Sequence, residues 1–250
     1  MVSKRWYQEN KRDPWRRQAK SKGYRARSAY KLLQIQEKFR IIKKGNNILD
    51  IGCHPGGWTQ VSVELVEDTG KVIGVDLLMT SSIDGAEIIM GDITENSTLE
   101  RISEIMGNNE FDVVISDISP RLTGRYDTDQ AISLELSTMS LDTAFNQLKV
   151  GGNFITKIFQ GRGVEGLVES AKKRFKNVNR YTPTASRTAS SETYLICQNR
   201  LLNPRKGSGN SAIEEVKIHL ENIGIITENG MNAEDETVVG FRKYKKGKNG

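Results

Sequence analysis

From Ser28 onward, Ala29, Leu32, Leu33, Ile35, Gln36 and Phe39 recur at helical spacing, which predicts an amphipathic helix with Ser28 as its cap. The pattern then changes. Short apolar runs bounded by glycine, asparagine or aspartate predict strands over 47–52, 71–76, 87–92, 111–117 and 152–159. Helical periodicity returns between them, over 58–66, 98–106, 128–148 and 164–175, and two further strands over 178–181 and 192–198 close the unit. Strands and helices that alternate with short connections predict a doubly wound, mostly parallel seven-stranded sheet with helices on both faces. The two successive strands at the end predict a closing antiparallel hairpin. In such a sheet ligands bind outside the carboxyl ends of the strands, so the informative residues are Gly52, Asp76, Asp92, Asp117 and Lys157. Past Leu201 the composition shifts to Asn-Pro-Arg-Lys-Gly-Ser-Gly-Asn, a linker pattern. After it, 213–223 is compatible with helix or strand, and 236–242 reads as a strand.

Charge adds a second layer to this picture. Residues 1–31 hold eleven Lys or Arg against Glu9 and Asp13, and the last ten residues hold five more, so the stretch between them is acidic on balance although the whole chain carries +6. Basic ends on an acidic domain suit a polyanionic partner. Trp6, Tyr7, Trp15, Tyr24 and Tyr30 interleave with the amino-terminal cations and offer faces for unstacked bases, although a solvated tail has the same charge. The chain divides into a basic aromatic segment (1–27) suited to that polyanion, a main domain (28–200) and a linker with a small basic appendage (201–250). No apolar run is long enough to cross a bilayer and no secretory signal pattern stands at the start, which places the protein in the cytoplasm. Cys53 and Cys197 are too few and too far apart for a disulfide framework, and neither they nor His54 and His219 form a metal-ligand spacing, so no metal is predicted.

The candidate chemistry lies at the strand ends. Gly52, Gly56 and Gly57 in Asp50-Ile-Gly-Cys-His-Pro-Gly-Gly-Trp58 let backbone approach a ligand at a helix start, or serve only as a tight turn. The spacing is not the G-x-G-x-x-G of dinucleotide enzymes. Asp76 is placed to accept from ribose hydroxyls and Asp92 from an adenine amino group; an isolated Asp is more often a cap or a loop acid. Three acids at successive strand ends, counting Asp117, describe a nucleoside pocket with a cationic group to neutralise. Lys157, within the apolar run from Phe154 to Phe159, points away from the face of Thr156 and Ile158. Burial there favours a neutral amine, whereas a lysine at a sheet edge would reach solvent.

These residues together resemble the RrmJ/FtsJ type of ribosomal RNA 2′-O-methyltransferase. The resemblance rests on Ser28-Ala-Tyr-Lys31, Pro-Gly-Gly-Trp58, Asp76-Leu-Leu, Gly91-Asp92, Ser116-Asp-Ile-Ser-Pro120, Lys157-Ile-Phe-Gln-Gly161, Ser186-Arg187 and Ser191-Glu192-Thr-Tyr194. It implies a Rossmann-like class I fold, S-adenosyl-L-methionine as cofactor, and a catalytic tetrad of Lys31, Asp117, Lys157 and Glu192. It also implies cofactor contacts at Gly56, Trp58, Asp76, Asp92 and Asp117, beside Gly52 and Gly57. The implied reaction is 2′-O-methylation of a ribose, a uridine, in large-subunit (23S) ribosomal RNA by a monomer whose partner is that RNA or the large subunit. Transfer RNA or an mRNA cap is the rival substrate, and a non-catalytic RNA-binding protein the rival class. Cys53 and His54 stand where small residues are usual in the family.

Overall fold

The structure is a computed structural model that describes residues 13–120, 122–187, 190–209 and 211–225. Trp6, Tyr7 and the strand predicted over 236–242 lie outside the described residues. In chain order the elements are α1 (Pro14–Ser21), α2 (Ala29–Phe39), β1 (Asn47–Ile51), α3 (Gly57–Val66), β2 (Lys71–Asp76), β3 (Ala86–Met90) and α4 (Asn96–Met106). They continue as β4 (Phe111–Ser116), α5 (Tyr126–Gln147), β5 (Leu148–Phe159), α6 (Val164–Arg174), β6 (Phe175–Tyr181), β7 (Glu192–Arg200) and α7 (Ala212–Asn222).

The seven strands form one sheet in the order β3-β2-β1-β4-β5-β7-β6. The five strands from β3 to β5 pair in parallel, and β7 runs antiparallel to both β5 and β6. The chain leaves β1 toward one edge through β2 and β3, then returns to β4 on the other side of β1. The crevice between β1 and β4 is therefore the topological switch point, where the loops on either side diverge.

Both faces of the central strands are covered, which explains their near-continuous apolar runs. Leu49, Ile51, Ile73, Val75, Val114, Phe154 and Ile158 pack against residues of α4, α5, α6 and α7. The opposite set, Ile48, Val72, Val113, Ile115, Ile155, Tyr194 and Ile196, packs against α2 and α3. Lys157 shares the second face, and so looks toward the start of α2.

Three local features differ from the sequence pattern. Ser28 stands at the cap position of α2 in a helical conformation and makes no side-chain cap bond; its carbonyl instead accepts the Trp58 indole N–H at 2.8 Å. The basic segment contains α1, capped by Asp13, whose Oδ1 accepts from the Trp15 and Arg16 amides at 3.0 and 3.2 Å. Its exposed side carries Arg16, Arg17 and Lys20, while Ala19 is buried with Tyr30 and Ala185. Trp15 lies tilted against Tyr30 at 5.1 Å and Tyr24 meets it edge-on at 5.9 Å, so these three aromatics pack on one another rather than standing as separate platforms for bases.

Residues 212–222 are helical and belong to the main core. Ala212, Val216 and Leu220 are buried with α5 and α6. The approach is close because Gly163 and Gly166 lack side chains: a Cβ on Gly163 would stand 2.5 Å from Leu220 Cδ2, and one on Gly166 2.7 Å from His219 Cγ. Asp142 of α5 accepts the first two amides of α7, at 2.5 and 3.1 Å, and fixes where the helix begins.

Candidate active site

The glycine turn after β1 is shaped by the protein's own packing. Gly52 has φ +76°, and a Cβ on it would stand 2.8 Å from Ile118 Cβ, in the segment that leaves β4. A Cβ on Gly57 would meet Ala26 at 3.1 Å, and one on Gly56, at φ +111°, would meet Ile83 at 2.6 Å. The glycines thus let the turn sit beneath neighbouring segments of the chain. Trp58 is buried in the core, stacked on Tyr194 with ring centroids 5.5 Å apart and bonded to Ser28 as described above. It ties the first turn of α2 to β7, and touches the crevice through those two neighbours.

The strand-end acids lie along the carboxyl edge of the parallel strands. Asp76, at the end of β2, accepts the His54 amide at 2.9 Å and the Leu78 amide at 2.8 Å, so it orders the loop after β1 as well as its own. Leu77 and Met79 beyond it are 68% and 77% exposed, an apolar shelf beside a carboxylate. Asp92 lies two residues past β3 and accepts from the amide and hydroxyl of Thr94 through Oδ1 at 2.9 and 2.7 Å. Asp50 inside β1 went without a role in the sequence pattern. It is fully buried, accepts from Thr59 at 2.7 Å through Oδ2, and leaves Oδ1 without a partner. Burial, together with the carboxylates of Asp117 and Asp76, pushes its pKa up to about 7 against the Thr59 hydrogen bond. The floor of the crevice is accordingly rich in negative charge.

Lys31, Asp117, Lys157 and Glu192 are brought together from four elements. Lys157, 4% exposed, donates from Nζ to the Asp117 carbonyl at 2.7 Å and lies 3.3 Å from its Oδ1. The antiparallel register pairs Lys157 with Tyr194 and Phe159 with Glu192. Since side chains two apart share a face, Tyr194 and Glu192 stand over the same side of the sheet as Lys157. Lys31, in the first turn of α2, forms an ion pair with Glu192 and lies 5.9 Å from the Tyr194 ring centroid.

Tyr194 is the member that its sequence block carried without a role. Its hydroxyl lies 2.7 Å from Asp117 Oδ1 and 2.9 Å from Glu192 Oε1. It has one proton to donate to two carboxylates, which links them into one unit. Burial and both carboxylates push the tyrosine pKa well above its ordinary value, so the hydroxyl stays protonated. For Asp117, burial alone would favour the neutral acid, but the Lys157 and Lys31 ammoniums and the hydrogen bond from Tyr194 outweigh it and hold the carboxyl below the usual range. Lys157 therefore faces an ionised partner.

The signal for Tyr194 was strand alternation: it is two residues from Glu192. For Asp50 it was an acid within an apolar run, the same signal that singled out Lys157.

A doubly wound sheet with an antiparallel hairpin at one edge and carboxylates at the ends of β1, β2 and β4 is the fold of the class I methyltransferases. A sequence model of the family described as FtsJ-like methyltransferase matches residues 24–200. The chain is 41% identical over 191 residues to ribosomal RNA large subunit methyltransferase E of Pseudomonas fluorescens, covering 76% of this chain and 91% of that protein. It is 46% identical over 195 residues to the protein of the same name from Methanothrix thermoacetophila, covering 78% and 75% of the two chains. Among solved structures, a ribosomal RNA methyltransferase assignment from Plasmodium falciparum superposes with a TM-score of 0.65 at 31% identity, over 71% of this chain and 99% of that one. The chain belongs to the FtsJ-like methyltransferase family. Among the described residues no helix is long and apolar enough to cross a membrane.

Proposed function

We propose that this enzyme transfers the methyl group of S-adenosylmethionine to a ribose 2′-hydroxyl, that of a uridine, in 23S ribosomal RNA of the large subunit. The observation that carries the reading is the buried, charge-balanced chain Lys157–Asp117–Tyr194–Glu192–Lys31 beside an acidic crevice at the switch point. The names of the related proteins point to the same class of RNA.

The crevice fits the cofactor by the chemistry of its donors. Bound, S-adenosylmethionine supplies an electrophilic methyl on a cationic sulfonium together with an ammonium group. Asp76, Asp92 and Asp117 provide negative charge at or just past the ends of β2, β3 and β4, and Asp50 in β1 retains a buried oxygen without a partner. In this reading the backbone at Gly52, Gly56 and Gly57 walls the methionine end, and Trp58 holds that wall from behind. Asp76 accepts from the cofactor's ribose, Asp92 from its adenine amino group, and the shelf at Leu77 and Met79 supports a base.

A ribose hydroxyl is a weak nucleophile, so the protein must align it and manage its proton. Lys157, held by the carbonyl and carboxylate of Asp117, accepts or steers that proton. Lys31 and Glu192 orient the ribose, and Tyr194 fixes the spacing of the two acids. The exposed cations of α1, Arg16, Arg17 and Lys20, bind the phosphate backbone.

The test is transfer of labelled methyl to large ribosomal subunits, free ribosomal RNA and transfer RNA side by side, with identification of the modified nucleoside. A 2′-O-methyluridine in large-subunit RNA is expected. Label on a base, or in transfer RNA alone, would overturn the assignment.

A further inference from the structure

The segment that joins α1 to α2 carries a cation that the reaction chemistry leaves unused. Arg25 is exposed, yet its guanidinium reaches main-chain carbonyls on two separate loops. Nη1 donates to Ser81 at 2.7 Å and to Pro55 at 3.4 Å, and Nη2 donates to Ser82 at 2.5 Å. Pro55 belongs to the turn after β1, and Ser81 and Ser82 to the loop after β2. The backbone of the same segment is strapped along α3: Gln60 accepts the Arg25 amide at 2.8 Å and donates to the Gly23 carbonyl at 3.0 Å, and the Tyr24 hydroxyl donates to Glu64 at 2.6 Å. Gly56 completes the fit, since a Cβ there would stand 3.3 Å from both Cδ and Nη1 of Arg25.

The two loops need such a tie. Strand pairing between β1 and β2 ends at Ile51 and Val75. Beyond it the loops touch through the His54 amide on Asp76 and through Thr80, 3.2 Å from the His54 ring and 3.9 Å from Cys53 Sγ. A planar guanidinium can donate in two directions at fixed spacing, which a lysine cannot do.

We propose that Arg25 is a positioning residue for the cofactor, setting the separation of the loops that follow β1 and β2 and so the width of the crevice between Gly52 and Asp76. The inference rests on the cofactor reading of that crevice. It also makes the basic amino-terminal segment one wall of the cofactor site, because Arg25 lies only a few residues beyond α1. A surface arginine beside a basic helix has an obvious other use, a contact to an RNA phosphate, and the kinetics separate the two.

The experiment uses the full chain with Arg25→Ala and Arg25→Lys, measuring S-adenosylmethionine affinity by calorimetry, both KM values, kcat and melting temperature. Arg25→Ala is expected to raise the cofactor Kd and KM by about tenfold, the scale of one charge-assisted hydrogen bond, with kcat at saturating cofactor and the KM for RNA within about twofold of wild type. Arg25→Lys should fall between, since it keeps the charge and one carbonyl. Wild-type cofactor affinity in Arg25→Ala overturns the proposal. A rise in the RNA KM alone overturns it in favour of a phosphate contact. A lowered melting temperature with equal rises in both KM values in both variants reduces Arg25 to a structural strap and also overturns it. A wild-type protein that binds no S-adenosylmethionine defeats the cofactor reading itself, before Arg25 is at issue.

Discussion

Two buried clusters of paired charges, around Arg174 and around Lys157, are built differently. Around Arg174, 2% exposed, Nη1 donates to the Ser170 carbonyl at 3.1 Å, to its hydroxyl at 2.8 Å and to Glu215 Oε1 at 3.1 Å. Glu215 also accepts the Gly209 amide at 2.7 Å, and the Phe145 ring lies 5.8 Å from the guanidinium. All of these partners belong to α5, α6, α7 or the connection before α7, so the cluster locks α7 onto the sheet's helical layer. The Lys157 cluster draws on α2, the end of β4, β5 and β7, and the side chains of Lys31, Glu192 and Asp117 keep 11%, 13% and 16% of their exposure. Partners drawn from one helical layer stabilise a buried charge for the sake of the fold. An open side, in a cluster that couples two carboxylates through one hydroxyl proton, leaves polar atoms facing a crevice where a substrate can complete the set.

The sharpest test of this contrast is Lys157→Ala, which should lower kcat by about a thousandfold or more in labelled-methyl assays while leaving a folded protein. A variant of near wild-type rate would place Lys157 with Arg174, among structural charges. Arg174→Ala should show the reverse: a loss of about 3 kcal/mol in denaturant unfolding, because Glu215 is left buried beside one remaining cation, with kcat of the folded enzyme unchanged. Lys173, 3.4 Å from Glu215 Oε2, limits the damage.

Asp50 tests the acidic floor of the crevice. Its pKa, raised to about 7 in the folded protein from 3.8, means that the folded state holds a proton which the unfolded state releases. The contribution of Asp50 to stability without cofactor should therefore be fullest below about pH 4 and decline as pH rises to about 7, and Asp50→Asn should flatten that part of the curve. Glu135, also raised to about 7 by burial, leaves a residual slope in the variant. An unchanged pH–stability curve would show that Asp50 is ionised throughout. The smallest effect is expected for Tyr194→Phe, which keeps the stack on Trp58 but removes the shared proton. A loss of about tenfold in kcat, with little change in melting temperature, fits a residue that spaces two acids. A drop as large as that of Lys157→Ala would instead make the hydroxyl part of the proton path.

Much of this site was legible along the chain because strand ends and strand faces follow from period-two alternation. β2 runs over 71–76 as its apolar pattern indicated, and Lys157 faces away from Thr156 and Ile158 as alternation requires. The strand limits were less readable where packing overrides pattern: β5 begins at Leu148, ahead of Gly151 and Gly152, because it pairs with β4 across a register shift. The helix α1 was hidden in a run of basic residues, since its apolar face is little more than Trp15 and Ala19. Residues 213–223 were equally compatible with strand, and only contact with α5 and α6 selects the helix. The three glycines after β1 suggested room for a ligand; the neighbours that fill the space are segments distant in sequence, Ile118, Ile83 and Ala26.

By itself, the sequence determined the order of elements, the doubly wound class and the residue types at the strand ends, because periodicity and turn chemistry are local properties of the chain. Tertiary structure alone decided that β7 enters between β5 and β6, which carries Glu192 and Tyr194 to Lys157, and that the start of α2 lies above them with Lys31. It also decided the ionic partner of Lys157 and the ion pair of Arg174 with Glu215. These depend on contacts between residues tens of positions apart, and on how burial and neighbouring charge weigh against each other once those contacts form.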